Sequence, residues 1–128
     1  VDLETIAKVK ANAKIPVVGN GDIIDKASYN KMLSTGVDAV MIGRGVLGNP
    51  NIFAILKGLP PIDKYTLLIE QINTLKKYYS DKYISTTMRK HLLWYVAGEP
   101  NATTYKRDLA TITNIDQGIE IVKQILKK

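Results

Sequence analysis

Apolar and polar positions alternate in two different periods along the first part of the chain. Residues 3–9 carry apolar side chains at helical spacing behind Asp2, a residue that favours the N-cap position. The run at residues 15–18 is almost entirely apolar and predicts a short buried strand. A second helix is predicted to begin at Asp25 and to end before Gly36, which suits the left-handed position after a helix.

A second strand and a third helix complete the predicted order αβαβα. Residues 37–42 are apolar except for one aspartate, and Asn49 with Pro50 predicts an N-cap and first helical position. Apolar strands that alternate with helices indicate a parallel sheet covered on both faces. Two strands are too few for such a sheet, so the pattern favours a piece of a larger barrel or doubly wound sheet, with further strands before Val1.

The second half of the chain shows helical periodicity and no strand pattern. The Gly-Leu-Pro-Pro linker at residues 58–61 predicts a domain boundary, which gives one domain at residues 1–58 and another at residues 63–128. Four helices are predicted here: two that begin at Asp63 and Ser85, one over about residues 102–111, and one around residues 119–126. The first of them is expected to place Tyr65, Leu68, Ile69, Ile72, Leu75 and Tyr79 on one side.

Composition narrows the class of protein. The 128 residues are 45% hydrophobic and 23% charged, which is typical of a globular protein with one core or two small ones. A net charge of +6 favours a polyanionic partner, although a basic surface also serves solubility. Neither a membrane span nor a signal-peptide pattern is present, so we expect a cytoplasmic protein. The absence of cysteine excludes a thiol nucleophile and cysteine-ligated zinc within this chain.

Each predicted strand ends in a glycine-containing loop, at residues 19–22 and 43–45. Neighbouring parallel strands would bring both loops to one rim, where glycine N–H groups and the Arg44 guanidinium suit a phosphate group. The alternative is that both are ordinary strand-to-helix turns, in which glycine is common for steric reasons. Spacing alone does not decide between these interpretations.

Three segments, at residues 15–23, 36–45 and 48–53, surround these loops and follow one another along the chain. In sequence and in order they resemble the flavin-phosphate region of tRNA-dihydrouridine synthases. The resemblance continues into residues 88–95 and 105–109, which look like the family's C-terminal signatures. The resemblance implies an α/β fold: the last two strands of a partial TIM (β/α)8 barrel, followed by an all-α helical bundle domain.

The resemblance also implies a cofactor site. By analogy with the family, the FMN phosphate would be contacted by Asn20, Gly21, Asp22, Gly43 and Arg44, mostly through backbone N–H groups. A carboxylate repels a phosphate unless it points away, so we expect the Asp22 side chain to cap the next turn instead.

An RNA contact surface is expected on the helical part. Residues Arg89, Lys90 and His91 share one helical turn, and Lys106 and Arg107 lie on the next segment, so two packed helices would present one basic surface.

The aromatic residues that follow this basic cluster have two interpretations. Trp94 and Tyr95 are candidates to stack on an exposed base, but packing in the core is the commoner role for such residues. For His91 we expect a structural or RNA-facing role. We expect no metal binding by His91, since no second histidine or cysteine accompanies it.

The implied activity is reduction of uridine to 5,6-dihydrouridine in tRNA, an oxidoreductase reaction with FMN and NADPH. The family's proton donor is a cysteine on an earlier strand loop, so we assign no catalytic residue here and expect the chain alone to be inactive. Three alternatives remain: another FMN-dependent barrel enzyme such as a dihydroorotate dehydrogenase or an old-yellow-enzyme relative, an RNA-binding helical module without redox activity, and an inert truncation.

Overall fold

The structure is a computed structural model that describes residues 1–127 and divides them into two compact units. The first unit contains Val1–Val46 and Asn51–Pro61. The second contains Leu47–Pro50 and the described residues from Ile62 onward. Each unit has its own cluster of buried apolar side chains.

The first unit is α/β, with two short parallel strands and three α-helices among its residues. In chain order its elements are α1 (Leu3–Asn12), β1 (Val18–Asn20), α2 (Lys26–Leu33), β2 (Ala39–Met41), a 3-10 turn (Arg44–Val46) and α3 (Ile52–Leu56). The strands pair in parallel with Val18 opposite Ala39 and Asn20 opposite Met41. Because α2 connects them as a crossover, their carboxyl ends lie at the same edge.

Two of the three predicted helix starts in this unit are confirmed. The Asp2 carboxylate accepts a hydrogen bond from the Thr5 N–H at 3.0 Å. Asp25 and Ser28 form a reciprocal capping box at the start of α2. The prediction that Asn49 caps α3 is wrong: the chain still turns through the two residues after it, and α3 begins at Ile52.

Strand β1 begins three residues later than predicted. Pro16 has no N–H, and the Val17 N–H donates to the Asp38 carboxylate at 2.7 Å rather than to a strand neighbour. The paired segment therefore starts at Val18 and extends into the predicted loop. Ile15 was predicted to be buried and is 72% exposed. Strand β2 lies within its predicted range.

Only one face of the two-stranded sheet is covered by the described residues. On that face, Gly19 and Val40 lie over a small core of Ile23, Met32 and Val37. The other face exposes apolar side chains, with Val18 at 58% and Met41 at 54% exposure. Parallel sheets are normally covered on both faces, so the exposed face is an incomplete apolar surface.

The second unit consists of four α-helices over its described residues. They are α4 (Lys64–Lys76), α5 (Asp81–Val96), α6 (Ala102–Ala110) and α7 (Ile115–Leu126), and α5 packs against the other three. The fully buried side chains of the core are Leu68, Ile72, Ile84, Met88, Leu92, Val96, Leu109 and Val122.

Asp63 is confirmed as the N-cap of α4, because its carboxylate accepts from the Thr66 N–H at 2.9 Å. Ser85 does not begin a helix. Ser80 is the N-cap of α5, and the Ser85 hydroxyl is buried inside the helix, where it donates to the Asp81 carbonyl. Tyr79 was predicted on the apolar side of α4 but lies beyond its end and is 49% exposed.

Candidate functional site

The loops that follow β1 and β2 line one cleft of about 470 Å³ in the first unit. Its lining residues are Asn20, Gly21, Asp22, Ile23, Ile24, Gly43, Arg44 and Gly45. All five residues expected around a phosphate are among them. They meet because parallel pairing places the carboxyl ends of both strands at one edge of the sheet.

The first loop turns sharply through two residues with positive φ. Gly21 has φ +133° and Asp22 has φ +53°. Glycine adopts the first of these values without strain, and aspartate is one of the few other residues that tolerates the left-handed region. Within residues 1–127, the N–H groups of Gly21, Asp22 and Gly43 donate to no protein acceptor. Three donors on the two loops are therefore available to an anion.

The two charged side chains in the cleft have opposite effects on an anion, because Arg44 attracts it and Asp22 repels it. The Arg44 side chain is 91% exposed, and its guanidinium lies 3.8 Å from the Asp22 carboxylate, too far for a hydrogen bond. Asp22 accepts a 2.6 Å hydrogen bond from the Val1 amino group. That bond, with the charges of the amino group and Arg44, holds the pKa of the Asp22 carboxyl below its ordinary value. Asp22 does not cap the next turn as expected; Asp25 does.

Gly45 lies in the predicted loop at residues 43–45 and lines the cleft, but it is not among the five residues expected to contact a phosphate. A Cβ placed on Gly45 would lie 2.1 Å from the backbone carbonyl oxygen of Ile23. The two loops thus touch backbone to backbone at this point, and only glycine permits that approach. The second glycine of the Gly-x-Gly sequence was the available signal.

The five expected RNA-contacting residues lie on α5 and α6, which pack against each other, but they have different surroundings. The Arg89 Nε donates to the Ile112 carbonyl at 2.9 Å and so ties α5 to the connection after α6. Lys90, Lys106 and Arg107 are exposed. His91 is two residues from Arg89, which places their side chains about 200° apart around the helix.

The two aromatic candidates also differ. The Tyr95 ring is only 3% exposed, and its hydroxyl donates to the Gln71 side chain at 3.0 Å. Packing in the core is therefore confirmed for Tyr95, which has no face free for a base. Trp94 is half-buried; the His91 ring meets it edge-on at 5.0 Å, and the Lys90 ammonium lies 5.9 Å from its centre.

Arg89 is expected to stabilise the second unit, which consists of helices α4 to α7. Replacing it with alanine leaves the Ile112 carbonyl without its partner and should lower the free energy of unfolding by about 1–3 kcal/mol. Lysine keeps the charge but not the Nε geometry, so Arg89→Lys should lose a similar amount. Urea unfolding measures both, with the exposed Lys90→Ala as the control. Full stability of Arg89→Lys would contradict this role.

His91 is expected to make stability fall in mildly acidic solution. Burial, and secondly the charge of Lys90, lowers the pKa of its imidazole, so the folded protein favours the neutral ring. Unfolding then takes up a proton as the pH falls below the unfolded-state pKa of about 6.5. Stability should be highest above that pH and decline below it. The thermal midpoint should drop between about pH 7.5 and about pH 5.5, and less so in His91→Gln.

Two kinds of site are not found in the described part of the chain. None of its helices is both long and apolar enough to cross a membrane. Nor do residues 1–127 bring together three or more acidic or histidine side chains that could hold a metal ion.

Parallel strands whose terminal glycine loops share a cleft define an α/β protein with a site suited to an anionic group. The chain belongs to the dihydrouridine synthase (Dus) family, whose family model matches residues 1–128. It is 35% identical over 128 aligned positions to a probable tRNA-dihydrouridine synthase of Mycobacterium tuberculosis, covering 91% of this chain and 33% of the relative.

Two further relatives are named tRNA-dihydrouridine synthase B. The protein of Pectobacterium carotovorum is 32% identical, with 95% of this chain and 41% of the relative covered. The protein of Pseudomonas aeruginosa is 31% identical, with 96% of this chain and 40% of the relative covered. The chain thus spans between a third and about two fifths of the length of these relatives.

Proposed function

We propose that this chain is part of a flavin-dependent tRNA-dihydrouridine synthase, in which it contributes contacts to the FMN phosphate and a surface for tRNA. The observation that carries the proposal is the cleft shared by the loops after β1 and β2. Residues 1–58 are the last two strand-helix units of a (β/α)8 barrel, where a cofactor phosphate commonly binds. Residues 63–128 are the tRNA-binding helical domain.

The exposed face of the sheet supports a larger barrel. Val18 and Met41 expose apolar side chains that water solvates poorly, and both strands have an edge without a partner among the described residues. Additional parallel strands would pair with these edges and cover this face. The greater length of the relatives leaves room for such strands.

The cleft residues fit a phosphate group. The free N–H groups of Gly21, Asp22 and Gly43 can donate to its oxygens, and the exposed Arg44 can turn toward it. The Asp22 carboxylate opposes the anion, and the Arg44 guanidinium 3.8 Å away offsets part of its charge. Bound FMN would carry hydride from NADPH to the uridine ring, and the role of this chain is to position the cofactor and the tRNA. We assign no proton donor to it, because it lacks cysteine, the residue type that donates the proton in the family it resembles.

The helical domain carries most of the excess positive charge. Residues 63–128 contain eleven lysines and arginines against seven acidic residues. Lys90, Lys106 and Arg107 are exposed and suit phosphates of the tRNA backbone. Of the other two expected contacts, Arg89 already bonds the Ile112 carbonyl through Nε and offers only its remaining N–H groups. His91 contributes hydrogen bonding rather than charge, because its pKa is lowered.

A comparison of FMN with riboflavin tests the cofactor proposal, because the two differ only in the phosphate. We expect weak binding of FMN to the 128-residue chain and much weaker binding of riboflavin, measured by flavin fluorescence. Arg44→Gln should weaken FMN binding about tenfold. Lys14→Gln removes an exposed charge elsewhere in the first unit and should change little. Equal binding of both flavins would refute a phosphate site.

Binding assays with tRNA and FMN distinguish the proposed function from its alternatives. With FMN, NADPH and tRNA the chain alone should form no dihydrouridine, and it should purify without stoichiometric flavin. It should bind tRNA with an affinity that falls steeply with salt. Binding of tRNA without any response to FMN would favour an RNA-binding module, and binding of FMN without tRNA would favour another FMN-dependent barrel enzyme. The cytoplasmic location stays a prediction.

A further inference from the structure

The turn between α4 and α5 exposes three tyrosines within a basic segment. Residues 76–83 have the sequence Lys-Lys-Tyr-Tyr-Ser-Asp-Lys-Tyr. Tyr78 is 75% exposed, Tyr79 49% and Tyr83 48%. Large aromatic side chains clustered at the surface are characteristic of binding sites rather than of solvated surface. We call residues 76–83 the α4–α5 aromatic surface.

Two of these rings form a preassembled stack. The Tyr79 and Tyr83 rings are 4.5 Å apart between centroids and inclined by 21°. The backbone on both sides is fixed: the Tyr79 N–H donates to the Leu75 carbonyl, and the Tyr83 N–H donates to the Ser80 cap hydroxyl. Because the rings are already ordered, a planar ligand that extends the stack loses little side-chain entropy on binding.

The charges around the stack favour an anionic ligand. The segment holds Lys76, Lys77 and Lys82 against one acidic residue, Asp81. Within residues 1–127, neither Lys77 nor Lys82 forms an ion pair, and both are exposed. Lys76 lies 3.9 Å from the Asp116 carboxylate, so Lys77 and Lys82 are the two lysines of the segment that no ion pair among the described residues holds.

We propose that the α4–α5 aromatic surface binds an unpaired nucleotide of an RNA strand. Its base stacks on the Tyr79–Tyr83 pair, and the adjoining phosphates meet Lys77 and Lys82. Aromatic rings flanked by cations are the combination that unpaired RNA requires, and every base offers a π face, so the site tolerates different sequences. The proposal rests on RNA as the partner and adds a site separate from residues 89–91 and 106–107.

A short RNA containing 2-aminopurine tests the stacking directly. We expect the 128-residue chain to quench 2-aminopurine fluorescence in a single-stranded oligonucleotide and much less in a fully paired duplex. Tyr79→Ala with Tyr83→Ala should weaken single-strand binding about tenfold or more and remove the quenching. Tyr79→Phe with Tyr83→Phe keeps both rings and should retain binding and quenching. Circular dichroism checks that each variant is folded.

Replacing the lysines is expected to affect RNA binding differently from replacing the tyrosines. Lys77→Ala with Lys82→Ala should weaken single-stranded and duplex RNA alike and reduce the dependence on salt, whereas the exposed Lys123→Ala is the matched control. If the chain binds tRNA and the alanine-substituted tyrosine variant binds equally well, this surface is not a nucleotide site although RNA remains the partner. If that variant instead loses self-association in sedimentation, the surface joins two copies and the proposal fails. If the chain binds no RNA at all, the proposed function fails with it.

Discussion

Replacing Gly45 with alanine is expected to separate the two loops of the cleft and abolish anion binding. The added Cβ would lie 2.1 Å from the Ile23 carbonyl oxygen, and both atoms are fixed by backbone, so one loop must move. Ile23 is buried, and its displacement disturbs the core of the first unit. The free energy of unfolding should fall by about 3 kcal/mol, near the upper end for an overpacked site. Thermal unfolding and phosphate binding are the measurements.

Gly43 provides the matched control two residues earlier in the same loop. A Cβ at Gly43 meets no atom within 4 Å, and its φ requires no glycine. Gly43→Ala should therefore leave stability nearly unchanged and affect only binding in the cleft. Equal stability of the two alanine variants would show that the Gly45 contact does not hold the loops together.

Replacing Gly48 with alanine is expected to destabilise the helical unit more than any surface substitution. Gly48 has φ +69°, and its Cβ would lie 2.3 Å from the Trp94 carbonyl oxygen in α5. Left-handed strain of about 1–2 kcal/mol then adds to a clash with backbone. We expect a loss of about 3–4 kcal/mol, measured by urea unfolding.

Gly98 provides a control that distinguishes backbone strain from the steric clash at Gly48. It has φ +82° within the same unit, but nothing lies within 4 Å of its Cβ position. Gly98→Ala should cost only the left-handed strain, about 1–2 kcal/mol. A Gly48→Ala variant no less stable than Gly98→Ala would mean that the approach to Trp94 is unimportant.

Local signals in the sequence predicted most of the helices. Asp2, Asp25 and Asp63 cap the helices that their positions predict, because an N-cap requires only its own side chain and the next few N–H groups. Strand ends were less predictable. The start of β1 depends on a hydrogen bond between Val17 and Asp38, a pairing between distant residues that periodicity does not reveal.

The candidate cleft was predictable in its residues but not in its contacts. Glycines at two strand ends imply a shared rim, and the structure brings the five expected residues together there. The close contact of Gly45 with Ile23 depends on how the loops pack, which composition does not encode. Tyr79 was assigned to a buried helix face because it continues the apolar period of α4, but the helix ends first.

Backbone amide spectra of the chain during titration with inorganic phosphate test the central claim most directly. If the two strand-end loops form one anion site, the amide signals of Gly21, Asp22 and Gly43 should shift together with a single dissociation constant. Signals of the second unit's core, such as Leu92, should stay unchanged. Shifts in only one of the two loops, or in neither at phosphate concentrations that saturate known phosphate sites, would contradict the account.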